Sequence, residues 1–156
     1  MMTKRSSVGL LDTNVLVYAM NEGAAHHEIA RRFVDDALGG VVLACLAMQV
    51  LTEYCATVTH PRKIDVPLQP WEACEEVEKF LACPVPVLYE SREAIPIFCD
   101  LVAQHGVSRQ NVHDAALAAT MLANGVTRIY TANVRDFAMF EQIEVINPFE
   151  EPEEAE

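Results

Sequence analysis

The chain has 156 residues, of which 51% are hydrophobic, and this length and composition are typical of one globular domain. No run approaches the roughly 18 apolar residues of a membrane span, and the five scattered cysteines lack the spacing of a zinc site. The net charge of −12 disfavours phosphate binding by basic residues, although five of the acids fall in the last seven positions. We therefore expect a cytoplasmic protein with buried, reduced cysteines and no membrane segment.

The first predicted strand covers residues 8–11, an apolar run that ends abruptly at Asp12 and is followed by a predicted helix. Asp12 fits two hypotheses. It is suited to cap the helix by accepting hydrogen bonds from first-turn N–H groups. It also lies where a strand ends, which is where functional groups collect in α/β sheets.

The next elements form a strand–helix unit. A helix is predicted over 25–38, ended by Gly39 and Gly40, and a continuous apolar strand over 41–46. A further helix over 48–60 ends at Pro61 and carries Glu53 beside its apolar stripe, where the carboxylate is either solvated or functional.

The middle of the chain continues with a helix over 71–81 and an edge-like strand over 85–88, because Pro86 cannot donate to a central ladder. Two helices follow, over 91–105 with Gly106 as its stop and over 108–124. Asp114 lies near the start of the second, Ala-rich helix. A carboxylate there is favourable at a helix start but costly to bury unpaired, so a bound cation would explain it better.

The last predicted strands cover 127–130 and 144–147, with a polar turn and a short helix over 131–137 between them. Strands and helices thus alternate along the whole chain. This order predicts an α/β fold with a central parallel sheet covered by helices on both faces, a three-layer α/β/α architecture.

Four short motifs in this order resemble the PIN-domain nucleases, and most of all the VapC-type toxins of toxin–antitoxin pairs. They are Leu11-Asp12-Thr13-Asn14, Val50-Leu51-Thr52-Glu53-Tyr54, Val112-His113-Asp114-Ala115 and the segment from Thr131 to Phe137. The resemblance implies a single PIN-like domain over 1–149, followed by an acidic tail over 150–156. Glycine-rich phosphate loops are missing from the sequence, which argues against a dinucleotide-binding domain.

The resemblance implies a ribonuclease that uses Mg²⁺ or Mn²⁺ to hydrolyse RNA phosphodiester bonds. Asp12 and Asp114 would be the main metal ligands, with Glu53 completing the site or orienting a water molecule. Carboxylates that converge repel each other, yet they form an oxygen-only site that such cations prefer. Asn14 and Thr131 would be supporting polar groups.

The fourth acidic position stays open between two residues. The family often has aspartate where this chain has Asn133, while Asp136 follows three residues later as a fourth catalytic acid or as a helix cap. Arg109 and Arg135 flank the motifs and are candidates for substrate phosphate contacts.

The resemblance also implies a homodimer and a small antitoxin that lies in an apolar groove. The sequence is compatible with this, because residues 29, 33 and 38 and the helix over 48–58 offer more apolar surface than a small sheet needs. Two alternatives remain at this point. One is a PIN-like interaction module that Asn133 has impaired, and the other is a solitary RNA-processing nuclease without an antitoxin.

Overall fold

Residues 8–150, the part of the chain that this computed structural model describes, form four short strands and seven helices. In chain order they are β1 (Gly9–Leu11), α1 (Thr13–Met20), α2 (His27–Leu38), β2 (Ala44–Cys45), α3 (Met48–Val58), α4 (Pro70–Leu81), α5 (Ala94–His105), α6 (Asn111–Ala123), β3 (Arg128–Tyr130), α7 (Val134–Phe137) and β4 (Glu144–Ile146). The tail predicted over 150–156 lies outside the described residues except for Glu150. Within the described part, no helix has the length and apolar composition to cross a membrane.

The strands form one parallel sheet in the order β2-β1-β3-β4. Leu10 of β1 is paired with Cys45 on one side and with Ile129 on the other, and all three side chains are fully buried. A parallel sheet needs helices on both faces to bury such strands, which confirms the predicted three-layer α/β/α fold.

β1 and β3, the two central strands, approach each other closely at Gly9. A Cβ atom at this position would overlap the ring of Tyr130 on β3, so only glycine leaves room for the ring. The Tyr130 ring also packs edge-to-face against Phe33 of α2, with 4.9 Å between the centroids. The Tyr130 ring thus contacts both the first residue of β1 and helix α2, and links the sheet to the helix layer.

Two predicted strands are shorter than the apolar runs suggested. The strand predicted over 41–46 is reduced to β2, because the N–H groups of Val41 and Val42 donate to the Asp36 carbonyl of α2 instead. The strand predicted over 85–88 is only a single bridge between Val87 and Leu46. Apolar composition predicted burial of the whole 41–46 run, whereas Val41 and Leu43 are exposed and only the residues from Ala44 onward are buried in the sheet.

Predictions of helices were more accurate, with ends displaced by at most three residues. Gly106 ends α5 in the left-handed conformation with φ of 60°, as a C-terminal glycine should. Pro96 lies in the first turn of α5, where its missing N–H would have no partner within the helix. Of the cysteines only Cys45 is buried, whereas Cys74 and Cys99 are exposed, so the expectation of a fully buried set was wrong.

Candidate metal centre

Asp12 follows the central strand β1 directly and occupies the N-cap position of α1. Its backbone N–H donates to the Tyr130 carbonyl at 3.0 Å, which continues the β1–β3 ladder by one residue. Its Oδ1 accepts a hydrogen bond from the Thr13 N–H at 2.8 Å. The helix-cap hypothesis is therefore confirmed, and it does not exclude a second role for the other carboxylate oxygen.

The second oxygen of Asp12 is held by two side chains from elements that the sequence separates widely. Oδ2 accepts from the Thr131 hydroxyl at 2.8 Å and from the Asn14 Nδ2 at 3.1 Å. Asp12 is 8% exposed and Thr131 is fully buried, so rotation of the carboxylate would leave buried polar groups unpaired. The carboxylate orientation is thus fixed before anything binds.

Asn14 and Thr131 tie α1 to the loop after β3. Asn14 Nδ2 donates to the Thr131 hydroxyl at 3.0 Å, and its Oδ1 accepts from the Ala132 N–H at 2.9 Å. The Thr131 hydroxyl also accepts from the Asn133 N–H at 3.0 Å. Both residues support Asp12 through hydrogen bonds, which fits the supporting positions expected from the sequence.

Glu53 projects from α3 toward the same region and is held by two residues that the sequence did not indicate. Its Oε2 accepts from the Thr13 hydroxyl at 3.0 Å, and its Oε1 accepts from Gln49 Nε2 at 3.3 Å. Gln49 also donates to the His113 carbonyl of α6 at 2.9 Å. Gln49 therefore connects the helix of Glu53 to the helix that carries Asp114.

These carboxylates meet in one cavity of about 330 Å³, which we call the carboxylate cavity. Its polar lining consists of Asp12, Thr13, Asn14, Tyr18, Glu53, Thr57, Lys63, Asp114, Asn133 and Asp136. Asp114 comes from the first turn of α6, and Asp136 comes from α7. Four carboxylates from four parts of the fold are thus brought together at the end of the central strands.

The pKa of Asp114 shows the effect of bringing these carboxylates together. Burial raises the pKa of its carboxyl to about 7, helped by the neighbouring charges of Asp136, Asp12 and Glu53. Within residues 8–150 no hydrogen bond reaches its side-chain oxygens. The protein itself therefore does little to stabilise the negative charge of Asp114. A bound cation would favour the ionised form of this carboxyl.

Asp12 is affected in the same direction. Its pKa is raised chiefly by burial, and the charges of Glu53 and Asp136 add to this effect. The hydrogen bonds from Thr131 and Thr13 oppose the rise because they favour the ionised form. The hydrogen bonds orient Asp12, but they leave the cavity short of positive charge.

The chemistry of this donor set fits Mg²⁺ or Mn²⁺, which bind carboxylate oxygens and usually keep several water molecules. In the described part of the chain, no three acidic, histidine or cysteine side chains already lie close enough to enclose an ion. A hydrated cation does not require such a closed cage. Asp12, Asp114, Glu53 and Asp136 are the residues that could hold it.

Of the two candidates for the fourth acidic position, Asn133 and Asp136, both line the cavity. Asp136 lies inside α7, so the hypothesis that Asp136 caps that helix was wrong.

The basic residues differ in whether they line this cavity. Arg135 lines an adjoining cavity that shares Asn133 and Asp136. Arg109 is exposed just before α6, with a positive φ of 58°, and does not line the carboxylate cavity. Lys63, which the sequence did not single out, does line it.

Comparisons of the sequence and of the fold with known proteins point to the same family. The sequence matches the PIN domain family over residues 9–143. It is 35% identical over 140 residues to ribonuclease VapC48 of Mycobacterium tuberculosis, covering 88% of this chain and 95% of the relative. The fold matches VapBC-1 of nontypeable Haemophilus influenzae at 16% identity, with a TM-score of 0.63 and coverage of 92% and 99%. It also matches Mycobacterium tuberculosis VapC20, a toxin that cleaves the sarcin-ricin loop, at 18% identity, with a TM-score of 0.62 and coverage of 84% and 94%.

Proposed function

Because this chain belongs to the PIN domain family, we propose that its carboxylate cavity is the metal centre of a VapC-type ribonuclease that hydrolyses RNA phosphodiester bonds. The observation that carries this proposal is the convergence of Asp12, Glu53, Asp114 and Asp136 on one cavity. Such a cluster of like charges is costly unless a cation compensates it. RNA hydrolysis is a reaction that such a cation promotes, since negative charge develops on the phosphate.

Asp12 and Asp114 are the principal ligands in this proposal. Asp12 is pre-oriented by Thr131 and Asn14, so little side-chain freedom is lost when a cation binds. Glu53, held by Thr13, completes the ligand set or orients the attacking water. A divalent ion, Mg²⁺ or Mn²⁺, supplies a Lewis acid that stabilises the negative charge developing on the phosphate.

Hydrolysis adds the oxygen of water to phosphorus while the bond from phosphorus to the leaving ribose oxygen breaks. The water loses a proton, and the leaving oxygen gains one. The chain contributes by holding the carboxylates in fixed positions for the cation. Positioning of Asp12 through buried hydrogen bonds is the clearest structural support for that role.

Asp136 is our choice for the fourth acid. Its charge raises the pKa of both Asp12 and Asp114, whereas Asn133 is neutral and uses its backbone N–H to bind the Thr131 hydroxyl. Asn133 still lines the cavity and is free to orient water. With four carboxylates present, the alternative of an interaction module impaired by Asn133 is not favoured.

The test is cleavage of RNA by purified protein in Mg²⁺ or Mn²⁺, compared with Asp12→Asn and Asp114→Asn. We expect both variants to lose metal-dependent cleavage and Mn²⁺ binding, measured by calorimetry. Asp100→Asn, an exposed aspartate on α5, is the matched control and should retain both. Equal cleavage by all four proteins would assign the activity to a contaminant and reject this site.

We also propose a small antitoxin as a protein partner. A groove of about 340 Å³ runs between α1, α2, α3 and α4. Its lining combines apolar residues, such as Leu16, Met20, Leu38 and Phe80, with the charged residues Arg31, Asp35, Glu76 and Lys79. Residues 29 and 33, which the sequence suggested for the groove, do not line it. Several structural neighbours are described as VapBC toxin–antitoxin complexes, which supports a partner of this kind.

The partner can be sought as the product of a short reading frame beside the gene. Co-expression should give a stable complex, and Leu38→Arg in the groove should prevent it while leaving RNA cleavage intact. Failure of any neighbouring product to bind would favour the solitary RNA-processing nuclease. Light scattering of the isolated chain would test the homodimer that the family resemblance implies.

A further inference from the structure

Lys63 is the feature that the proposed metal centre leaves unexplained. Among the residues between 8 and 150 that line the carboxylate cavity, it alone carries a positive charge, against four carboxylates. One divalent cation would neutralise only two of the four acidic charges. An RNA phosphate would therefore still meet negative charge in the cavity, unless a further cation of the protein stands beside it.

The backbone around Lys63 is well anchored. The N–H groups of Lys63 and Ile64 both donate to the His60 carbonyl, at 3.0 and 3.2 Å. Ile64 is 3% exposed and belongs to the core, and Leu68 N–H returns to the Val58 carbonyl at 2.8 Å. Lys63 thus projects from a closed turn whose next residue is fixed in the core.

A second contact holds this turn in place. The carboxylate of Asp65 packs directly against Gly23, in the connection between α1 and α2, where an added Cβ atom would overlap it. The connection 59–69 is therefore anchored to the segment that follows the C-terminal end of α1. From this anchored turn, Lys63 lines the cavity that the carboxylates share.

The carboxylate cavity adjoins a second cavity. The two cavities share Asn133 and Asp136, and the second is also lined by Arg135 and Glu150. Each cavity therefore has a positive side chain in its lining, Lys63 in the first and Arg135 in the second. An RNA strand that crosses both cavities would carry phosphates past both side chains, since each nucleotide contributes one negative charge.

We propose that Lys63 is a substrate-binding residue that contacts an RNA phosphate at or next to the one being cleaved. This proposal rests on the ribonuclease function proposed above. Lysine is a point charge with three donors on a flexible stem, and it suits a phosphate contact that need not be bidentate. Arg62, its exposed neighbour, does not line the cavity and should have no such role.

The experiment compares wild type, Lys63→Met, Lys63→Arg and the matched control Arg62→Met in cleavage of a short RNA. For Lys63→Met we expect kcat/KM to fall about tenfold, mainly through KM, and the salt slope of log kcat/KM to decrease by about one. Lys63→Arg should recover most of the loss. Arg62→Met should match wild type, and all four proteins should have the same melting temperature.

Equal KM and equal salt slope for Lys63→Met and Arg62→Met would overturn the assignment of Lys63, while wild-type cleavage would leave the ribonuclease proposal standing. If wild type does not cleave RNA, the ribonuclease proposal itself fails. Where wild type does not cleave RNA, anisotropy of labelled RNA with Asp114→Asn and with Asp114→Asn combined with Lys63→Met still measures the contact. Weaker binding of the double variant would support the contact, and equal binding would reject it.

Discussion

Asp114→Asn should stabilise the metal-free protein, although it removes a proposed metal ligand. The carboxyl pKa of Asp114 rises from its ordinary 3.8 to about 7 on folding, because of burial and three neighbouring carboxylates. The folded state therefore retains a proton that the unfolded chain releases between about pH 4 and 7. Stability falls as the pH rises through this window, and the full loss is present above pH 7.

The size of the effect follows from the shift. Each pKa unit is worth about 1.4 kcal/mol, so a rise from 3.8 to about 7 sets an upper bound of about 4 kcal/mol. Asp114 is only partly buried, and solvent screening reduces the expected value to about 1–2 kcal/mol. For a chain of this length, that corresponds to an increase in melting temperature of about 3–6 °C.

The assay is thermal unfolding in EDTA at pH 8 and at pH 4, followed by circular dichroism. We expect Asp114→Asn to exceed wild type at pH 8 and to approach it at pH 4, with Asp100→Asn as the control for a lost surface charge. Added Mn²⁺ should raise the melting temperature of wild type but not of Asp114→Asn. A variant that is less stable than wild type at pH 8 would refute the reasoning.

Substitutions at three further positions test the supports of the site and the packing of the sheet. Thr131→Val removes the buried donor to Asp12, and we expect urea unfolding to show a loss of about 1–2 kcal/mol together with a lower cleavage rate. Gly9→Ala forces a methyl group into the aromatic ring on β3 and should cost about 1–3 kcal/mol in the same measurement. Gln49→Leu removes one of the two hydrogen bonds to Glu53 and breaks the link from α3 to α6, so calorimetry should show weaker Mn²⁺ binding. Gln49→Glu should weaken binding less, because it adds a carboxylate. Unchanged binding in both variants would remove Gln49 from the site.

Elements that depend on local pattern were predictable from the sequence. Periodicity, glycine stops and proline positions gave the order of the helices, and apolar runs that end in polar residues marked β1 and β3. Asp12 shows the limit of such reasoning. Its two hypotheses appeared as alternatives in the sequence, whereas the structure uses one oxygen for the helix cap and the other for the buried network.

Contacts between distant parts of the chain were not predictable in this way. Thr13 and Glu53 are 40 residues apart, and Gln49 and His113 are 64 apart, so no local pattern relates either pair. Lys63 lies in a proline-bounded connection without periodicity, and only the packing of that connection brings it to the cavity. Asn14 and Thr131 were expected from the sequence, whereas the roles of Gln49 and Lys63 required the three-dimensional structure.

The ambiguity between Asn133 and Asp136 has a simple geometric origin. Asn133 is the N-cap of α7 and Asp136 lies in its first turn, and residues three apart on a helical turn face the same side. A motif that places its acid at either position therefore delivers a carboxylate to the same cavity, and sequence spacing cannot distinguish them. Charge does distinguish them, since Asp136 acts on Asp12 and Asp114 while Asn133 adds no charge. The asparagine at 133 is thus compatible with a complete acidic centre.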